Sequence, residues 1–315
     1  MMIDLPTFCR APLVELADIE PGAVAVVGVR DARVGRASRH APEAIRRASI
    51  TMFDDLASVE RLVDIDTGRI LGRTPRLVDL GDVVRDGSLV DSVVQSVVLA
   101  GAVPVVLACE RRLTETGFKG LCNAMASRQD RVGLICLSPD FDVLFGVQSP
   151  SGSDRTVAIP LRLGPVAPKD TAVLGLHGLV PRRHWRQVSE VGVTVVRSSD
   201  LVGAGWEAAV REAMRAATTE TDVVFVAVDL GVVDLGHAPG RIGAKVGGLE
   251  ASVLLDLSRV LSSATIGGVA LWGLAADLDA TDRSAALAAQ IVMELVNPLA
   301  ASVPTPANRT SHAAG

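Results

Sequence analysis

Tyrosine is absent from these 315 residues, and the aromatics together reach only 3%. The core must therefore be aliphatic. With 49% hydrophobic residues and a mean hydropathy of +0.36, the composition points to a large buried sheet, with apolar surface left over for contacts between subunits. No basic block stands out either: 31 Lys/Arg and 36 Asp/Glu are interspersed and sum to −5, which leaves no footprint for nucleic acid or an anionic membrane. No apolar run reaches the roughly 18–20 residues that a membrane helix needs. The opening MMIDLPTFCRAPL has no basic segment followed by a long apolar one, so no signal peptide is expected. Cysteine is scarce. Cys9, Cys109, Cys122 and Cys136 form no CxxC pair, and two of them end apolar runs (VVLAC, GLIC). That pattern describes buried, reduced thiols in a cytoplasmic protein rather than a disulfide framework.

What is present is a regular alternation. Short β-branched runs over residues 23–29 (AVAVVGV), 76–80, 103–109, 132–138, 172–177, 193–197, 223–230 and 266–274 read as strands. Helical patterns fall at 42–49, 89–102, 115–126, 183–191, 206–218, 249–263 and 284–296. The first of these opens with Pro42 at a first-turn position, where its missing N–H costs nothing. Residues 139–169 are irregular, 231–248 form a Gly-rich loop, and the Pro/Ser/Thr/Ala-rich stretch 301–315 reads as a disordered tail. Continuously apolar strands alternating with helices predict a three-layer α/β/α fold with a roughly eight-stranded, mostly parallel sheet. No composition shift divides residues 1–300, so they are read as one domain. In such sheets ligands sit at the carboxyl ends of the strands. The candidate site therefore consists of the residues just beyond them: Glu110-Arg111-Arg112, Ser138-Pro139-Asp140-Phe141-Asp142, Asp229-Leu230-Gly231 with Asp234, and Trp272-Gly273-Leu274.

Order, spacing and flanks of these segments resemble the ureohydrolase family of arginases, agmatinases and guanidinobutyrases over residues 7–297. Thr7-Phe8-Cys9-Arg10 is similar to the agmatinase opening, and Arg39-His40-Ala41-Pro42-Glu43-Ala44-Ile45-Arg46 to the family's Arg-Phe-Gly-Pro-x-Ala-Ile-Arg. Asp79-Leu80-Gly81-Asp82-Val83 matches Asp-x-Gly-Asp-Val, and Gly247-Gly248-Leu249 matches the Gly-Gly-Leu that ends a loop. The resemblance implies an arginase-like fold with two Mn or Ni ions at the strand ends. Their ligands would come from Gly-Gly-Asp-His-Ser, Asp-Ala-His-x-Asp and Asp-x-Asp-x-x-Asp motifs, and a bridging hydroxide would attack a guanidinium carbon.

Position by position, this chain departs from that pattern. Arg111 stands at the first ligand His. Ser138 stands at an Asp, Asp140 at a His, and Asp142 keeps its Asp; Asp229 keeps its Asp, and Gly231 replaces the next. No histidine occurs anywhere in residues 103–142. A guanidinium is a permanent cation and cannot ligate a metal, so Arg111 is expected to pair with Asp140, Asp142 or Asp229 in the ion's stead. The Glu that anchors substrate in the family falls at Gly273, the Glu after Gly-Gly-Leu falls at Val253, and residues 148–154 lack the family's proton-transferring His.

The resemblance therefore implies a degenerate, non-catalytic member, with no catalytic residue and no metal of its own. It is similar to the inactive subunit of mixed guanidine-type hydrolases such as metformin hydrolase. In that reading an active, Ni- or Mn-bearing paralogue completes a trimer- or hexamer-type assembly in the cytoplasm, with no nucleic acid or membrane involved. Two alternatives stay open. One is an active amidinohydrolase releasing urea from an altered, mononuclear site on Asp140, Asp142 and Asp229. The other is a regulatory module binding a small anion in the old cleft. A new metal site from His177, His237 and Asp229 would need new geometry on old loops.

Overall fold

The computed structural model describes residues 6–30, 40–53, 63–65, 69–70, 76–84, 89–108, 110–140, 166–180, 192–241 and 245–297, with the single residues 182, 185, 186 and 190. The expected tail at 301–315 and most of the expected helix at 183–191 lie outside these residues.

Eight strands form one parallel sheet: β1 (Val24–Arg30), β4 (Leu77–Val84), β5 (Val103–Ala108), β6 (Val132–Leu137), β7 (Thr171–Leu176), β8 (Thr194–Arg197), β9 (Val223–Asp229) and β10 (Ile266–Trp272). Their spatial order is β4-β1-β5-β10-β9-β6-β7-β8. A separate antiparallel pair, β2 (Val63–Asp64) and β3 (Arg69–Ile70), was not foreshadowed by any apolar run. Among the described residues the α-helices are α1 (Ala41–Phe53), α2 (Leu89–Leu99), α3 (Arg111–Arg128), α4 (Trp206–Thr218), α5 (Ala251–Leu261) and α6 (Arg283–Val296). None of the described helices is long and apolar enough to cross a membrane.

The central strands are buried on both faces, which is why they read as unbroken apolar runs. Alternate residues feed two cores. Val105, Leu107, Val224, Val226 and Val228 pack with α1, α4, α5 and α6, whereas Val106, Ala108, Phe225 and Ala227 pack with α2 and α3. At about 25 cal/mol per Å2 of apolar area removed from water, these two layers supply most of the driving force for folding.

At one end of the sheet the Asp79-Leu80-Gly81-Asp82 segment lies inside β4 rather than after it. Arg46, on α1 and almost fully buried, donates to both carboxylate oxygens of Asp79 and pairs with Asp82. Gly28 on β1 leaves room for that cluster, since a Cβ there would meet the Asp82 carboxylate and the Arg46 guanidinium.

The helix that follows β5, α3, packs on one face of the sheet, while α5 and α6, which follow β9 and β10, pack on the other. Chain leaving adjacent strands thus diverges at the centre of the sheet. Such a divergence is where open α/β sheets place a ligand cleft, here at the carboxyl ends of β5, β10, β9 and β6.

Candidate functional site

Asp229 ends β9, in register with Trp272, the last residue of β10. Beyond it the chain turns through Leu230–Val232, and the Asp229 carboxylate caps that turn by accepting the Gly231 N–H at 2.7 Å. Two glycines make this possible. A Cβ on Gly231 would lie 2.7 Å from Asp229 Oδ1 and 3.1 Å from Pro139. A Cβ on Gly273, whose φ of +93° already excludes most side chains, would also lie 2.7 Å from that oxygen. Asp229 has folded back into the space that side chains at 231 and 273 would need.

Burial pushes the Asp229 carboxyl up to about 6. The Gly231 N–H opposes that rise, the Asp140 charge adds to it, and Arg241 and Arg111 favour the ionised form.

Ser138, buried just past β6, donates its hydroxyl to the Asp140 carbonyl at 3.1 Å, which shapes the turn that presents Asp140. The Asp140 carboxylate receives Lys245 Nζ at 3.2 Å. Arg111 is the first residue of α3, and the helix begins there rather than at residue 115 because Glu110 is extended and serves as its N-cap. The ion-pair partner of Arg111 is Glu115, one helical turn later, with Nε 3.3 Å from Oε1. Spacing of four along a helix brings Glu115 into reach of Arg111, while Asp142, one of the aspartates expected to pair with it, lies outside the described residues. Its charge also acts on Asp229, favouring the ionised form.

Arg111, Ser138, Asp140, Asp229, Gly231 and Gly273 therefore share one end of the sheet. Asp142, Cys109 and residues 148–154 lie outside the described residues. Val253 sits in the first turn of α5 and packs against the apolar core. Sequence reasoning missed two residues in the 231–248 loop. Arg241 is buried, donates through Nη1 to the carbonyls of Leu230 (3.2 Å) and Val233 (3.3 Å), and interacts electrostatically with Asp229, Asp140 and Asp234. Burial lowers its pKa while those three carboxylates support its charge. The second is Lys245. Both sit in a stretch whose glycines draw attention to backbone geometry instead of charge.

Among the described residues, neither His177 nor His237 is part of a metal-binding cluster. His177 follows β7 with Nδ1 2.9 Å from the Gly175 carbonyl, and it lines a separate cavity of about 450 Å3 with Trp185, Ser198 and Gly248. His237 is exposed on the loop. Among the described residues no three His, Cys, Asp or Glu side chains are grouped so as to hold a metal ion.

Comparison with known proteins places this architecture. A guanidinopropionase from Pseudomonas aeruginosa is 25% identical over 308 residues, covering 95% of this chain and 92% of that protein. An arginase from Brevibacillus brevis is 23% identical over 185 residues, 54% of this chain and 60% of its own. Among solved structures, proclavaminate amidino hydrolase from Streptomyces clavuligerus superimposes with a TM-score of 0.71 at 21% identity, covering 93% of this chain and 96% of that one. The agmatine ureohydrolase of Thermoplasma volcanium gives 0.69 at 20% identity, over 94% and 95%. The arginase-family profile matches residues 23–297, most of the chain and all eight strands of the parallel sheet, so the chain belongs to the arginase family.

Proposed function

We propose that this chain is a non-catalytic subunit of a hetero-oligomeric ureohydrolase acting on a guanidine or biguanide compound, in which it supports a metal-bearing, active paralogue. The observation that carries this reading is the misfit between the strand ends and the pair of Mn or Ni ions the family implies. Two such ions need several carboxylates and imidazoles converging on them. Here glycines at 231 and 273 let Asp229 turn back onto its own backbone, and Lys245 sits on Asp140. Arg111 stands at a position where the family pattern has a ligand histidine. Similarity to a guanidinopropionase along nearly the whole chain supports a guanidino compound as the substrate class of the assembly.

A sheet and two apolar cores kept intact around a cleft so altered fit a scaffold maintained for assembly. The alternative, an amidinohydrolase with an altered site, draws on Asp140 and Asp229, which both remain at the strand ends.

The test is purification of the chain alone and after co-expression with an arginase-family paralogue from the same source. Alone it should carry less than about 0.1 Mn or Ni per chain and release no urea from guanidino substrates; co-purified, the metal and the activity should belong to the partner. Stoichiometric metal with turnover by the isolated chain would overturn the reading.

A further inference from the structure

We propose that Lys245, backed by Arg241, is a tethered counter-cation that shuts the cleft: the loop between β9 and α5 brings fixed positive charge to the strand-end carboxylates and so excludes divalent ions. This rests on the non-catalytic reading above and says what has taken the place of metal there.

The loop is clamped at both ends, so Lys245 is held in position. Leu249 N donates to the Val232 carbonyl at 2.8 Å, and Asp234 N donates to the Leu249 carbonyl at 2.9 Å. The Asp234 carboxylate accepts the N–H groups of Gly236 (2.9 Å) and Gly247 (2.7 Å), which ties the start of the loop to its return. Lys245, two residues before Gly247, is thereby delivered to Asp140, 105 positions earlier in the chain. Arg241 cannot swing away, because its Nη1 straddles the Leu230 and Val233 carbonyls. Its Nε is buried without a partner. An orphaned buried donor is unfavourable, and a buried guanidinium more so. Nearby carboxylates, Asp229 above all, are what offset that burial.

A divalent ion on the Asp140 carboxylate would lie within a few ångströms of the Lys245 ammonium and in the field of the Arg241 guanidinium, which acts on both Asp140 and Asp229. Both cations repel it strongly at the reduced dielectric of a half-buried cleft. The family's charge balance between carboxylates and cation is retained, with side chains in place of ions.

The experiment uses the full chain with Mn2+ or Ni2+ as the probe. Thermal shift and metal content after dialysis are measured for wild type, Lys245→Met, which keeps length but removes charge, Lys245→Arg, which keeps charge, and Lys245→Met/Asp140→Asn. Millimolar metal should raise the Tm of Lys245→Met by about 2–4 °C. Wild type, Lys245→Arg and the double variant should show no rise. A folded Lys245→Met that gains no metal response overturns the proposal, as does a Lys245→Arg that gains the same response.

A second variant covers the case in which Lys245→Met does not fold. Asp234→Asn, which weakens the clamp that holds Lys245 in position, should speed hydrogen exchange at Gly236 and Gly247 by about tenfold while leaving β6 and β9 protected. Unchanged exchange there counts against the tether. The wild-type arm separates the two ideas: urea release with bound metal by wild type would sink the non-catalytic reading, whereas a metal-blind Lys245→Met sinks only the counter-cation.

Discussion

Glycine at 273 illustrates how a single residue decides the character of the cleft. Its backbone adopts φ +93°, a region that costs an L side chain on the order of 1–2 kcal/mol, and the Asp229 carboxylate occupies the space where a Cβ would go. Gly273→Ala should therefore destabilise the chain by about 2 kcal/mol or more in urea unfolding. A loss under about 0.5 kcal/mol would mean that Asp229 is not lodged there. Glycine in this segment, Trp272-Gly273-Leu274, was legible as the loss of an anchor. That it also makes room for Asp229 was not, because the two residues are 44 positions apart and meet only across the β9–β10 register. The described cysteines are the free, buried thiols the sequence suggests, Cys136 among them in its apolar run. Cys9 and Cys122 are buried, and burial pushes each thiol up to about 12, so neither offers a thiolate near neutral pH.

Among the elements, the loop joining β9 to α5 departs furthest from its expected role. It reads as a glycine-rich connector, yet it carries Arg241 and Lys245 and holds itself together through Asp234. The N–H groups of Gly236, then of Gly247 and Gly248, keep the Asp234 carboxyl below the usual carboxylate range. A carboxyl with a lowered folded pKa contributes stability that is present above its unfolded value, near 4, and is lost as pH falls through the folded one. Asp234→Asn should accordingly lower the Tm by about 2–4 °C at pH 7, and the gap from wild type should narrow below about pH 4. A gap that is constant with pH, or that widens on acidification, would show that the carboxylate does not organise the loop. The helices show the same division between local and distant causes. The start of α3 at Arg111 follows from the extended Glu110 before it, and the Arg111–Glu115 pair is set by helical spacing. Both are local facts, although the apolar periodicity begins only further along.

For the molecule as a whole, the non-catalytic reading makes stability a property of the assembly. Anything that binds only the folded chain stabilises it by mass action. The Tm of the isolated chain should stay within about 1 °C on adding EDTA or millimolar Mn2+, and should rise with the concentration of an active arginase-family partner. A Tm that falls with chelator and ignores the partner would point to a metal enzyme acting alone.

The alternation of apolar runs with helical patterns was enough to count the eight strands of the sheet and to assign them to a parallel α/β fold. Burial on both faces leaves an unbroken β-branched signature in each strand, which any single segment displays. The motif positions Arg111, Ser138, Asp140, Asp229, Gly231 and Gly273 were likewise readable as departures at the strand ends. The spatial order β4-β1-β5-β10-β9-β6-β7-β8 was not, nor was the pairing of Lys245 with Asp140 or the burial of Arg241 behind Asp229. Strand order depends on which crossovers pack on which face, and the charge pairs join residues brought together only when β6, β9 and the 231–248 loop converge. Local patterns record what each segment buries; which charges meet is decided by the folded chain, because Coulomb attraction and desolvation act through space and not along the sequence.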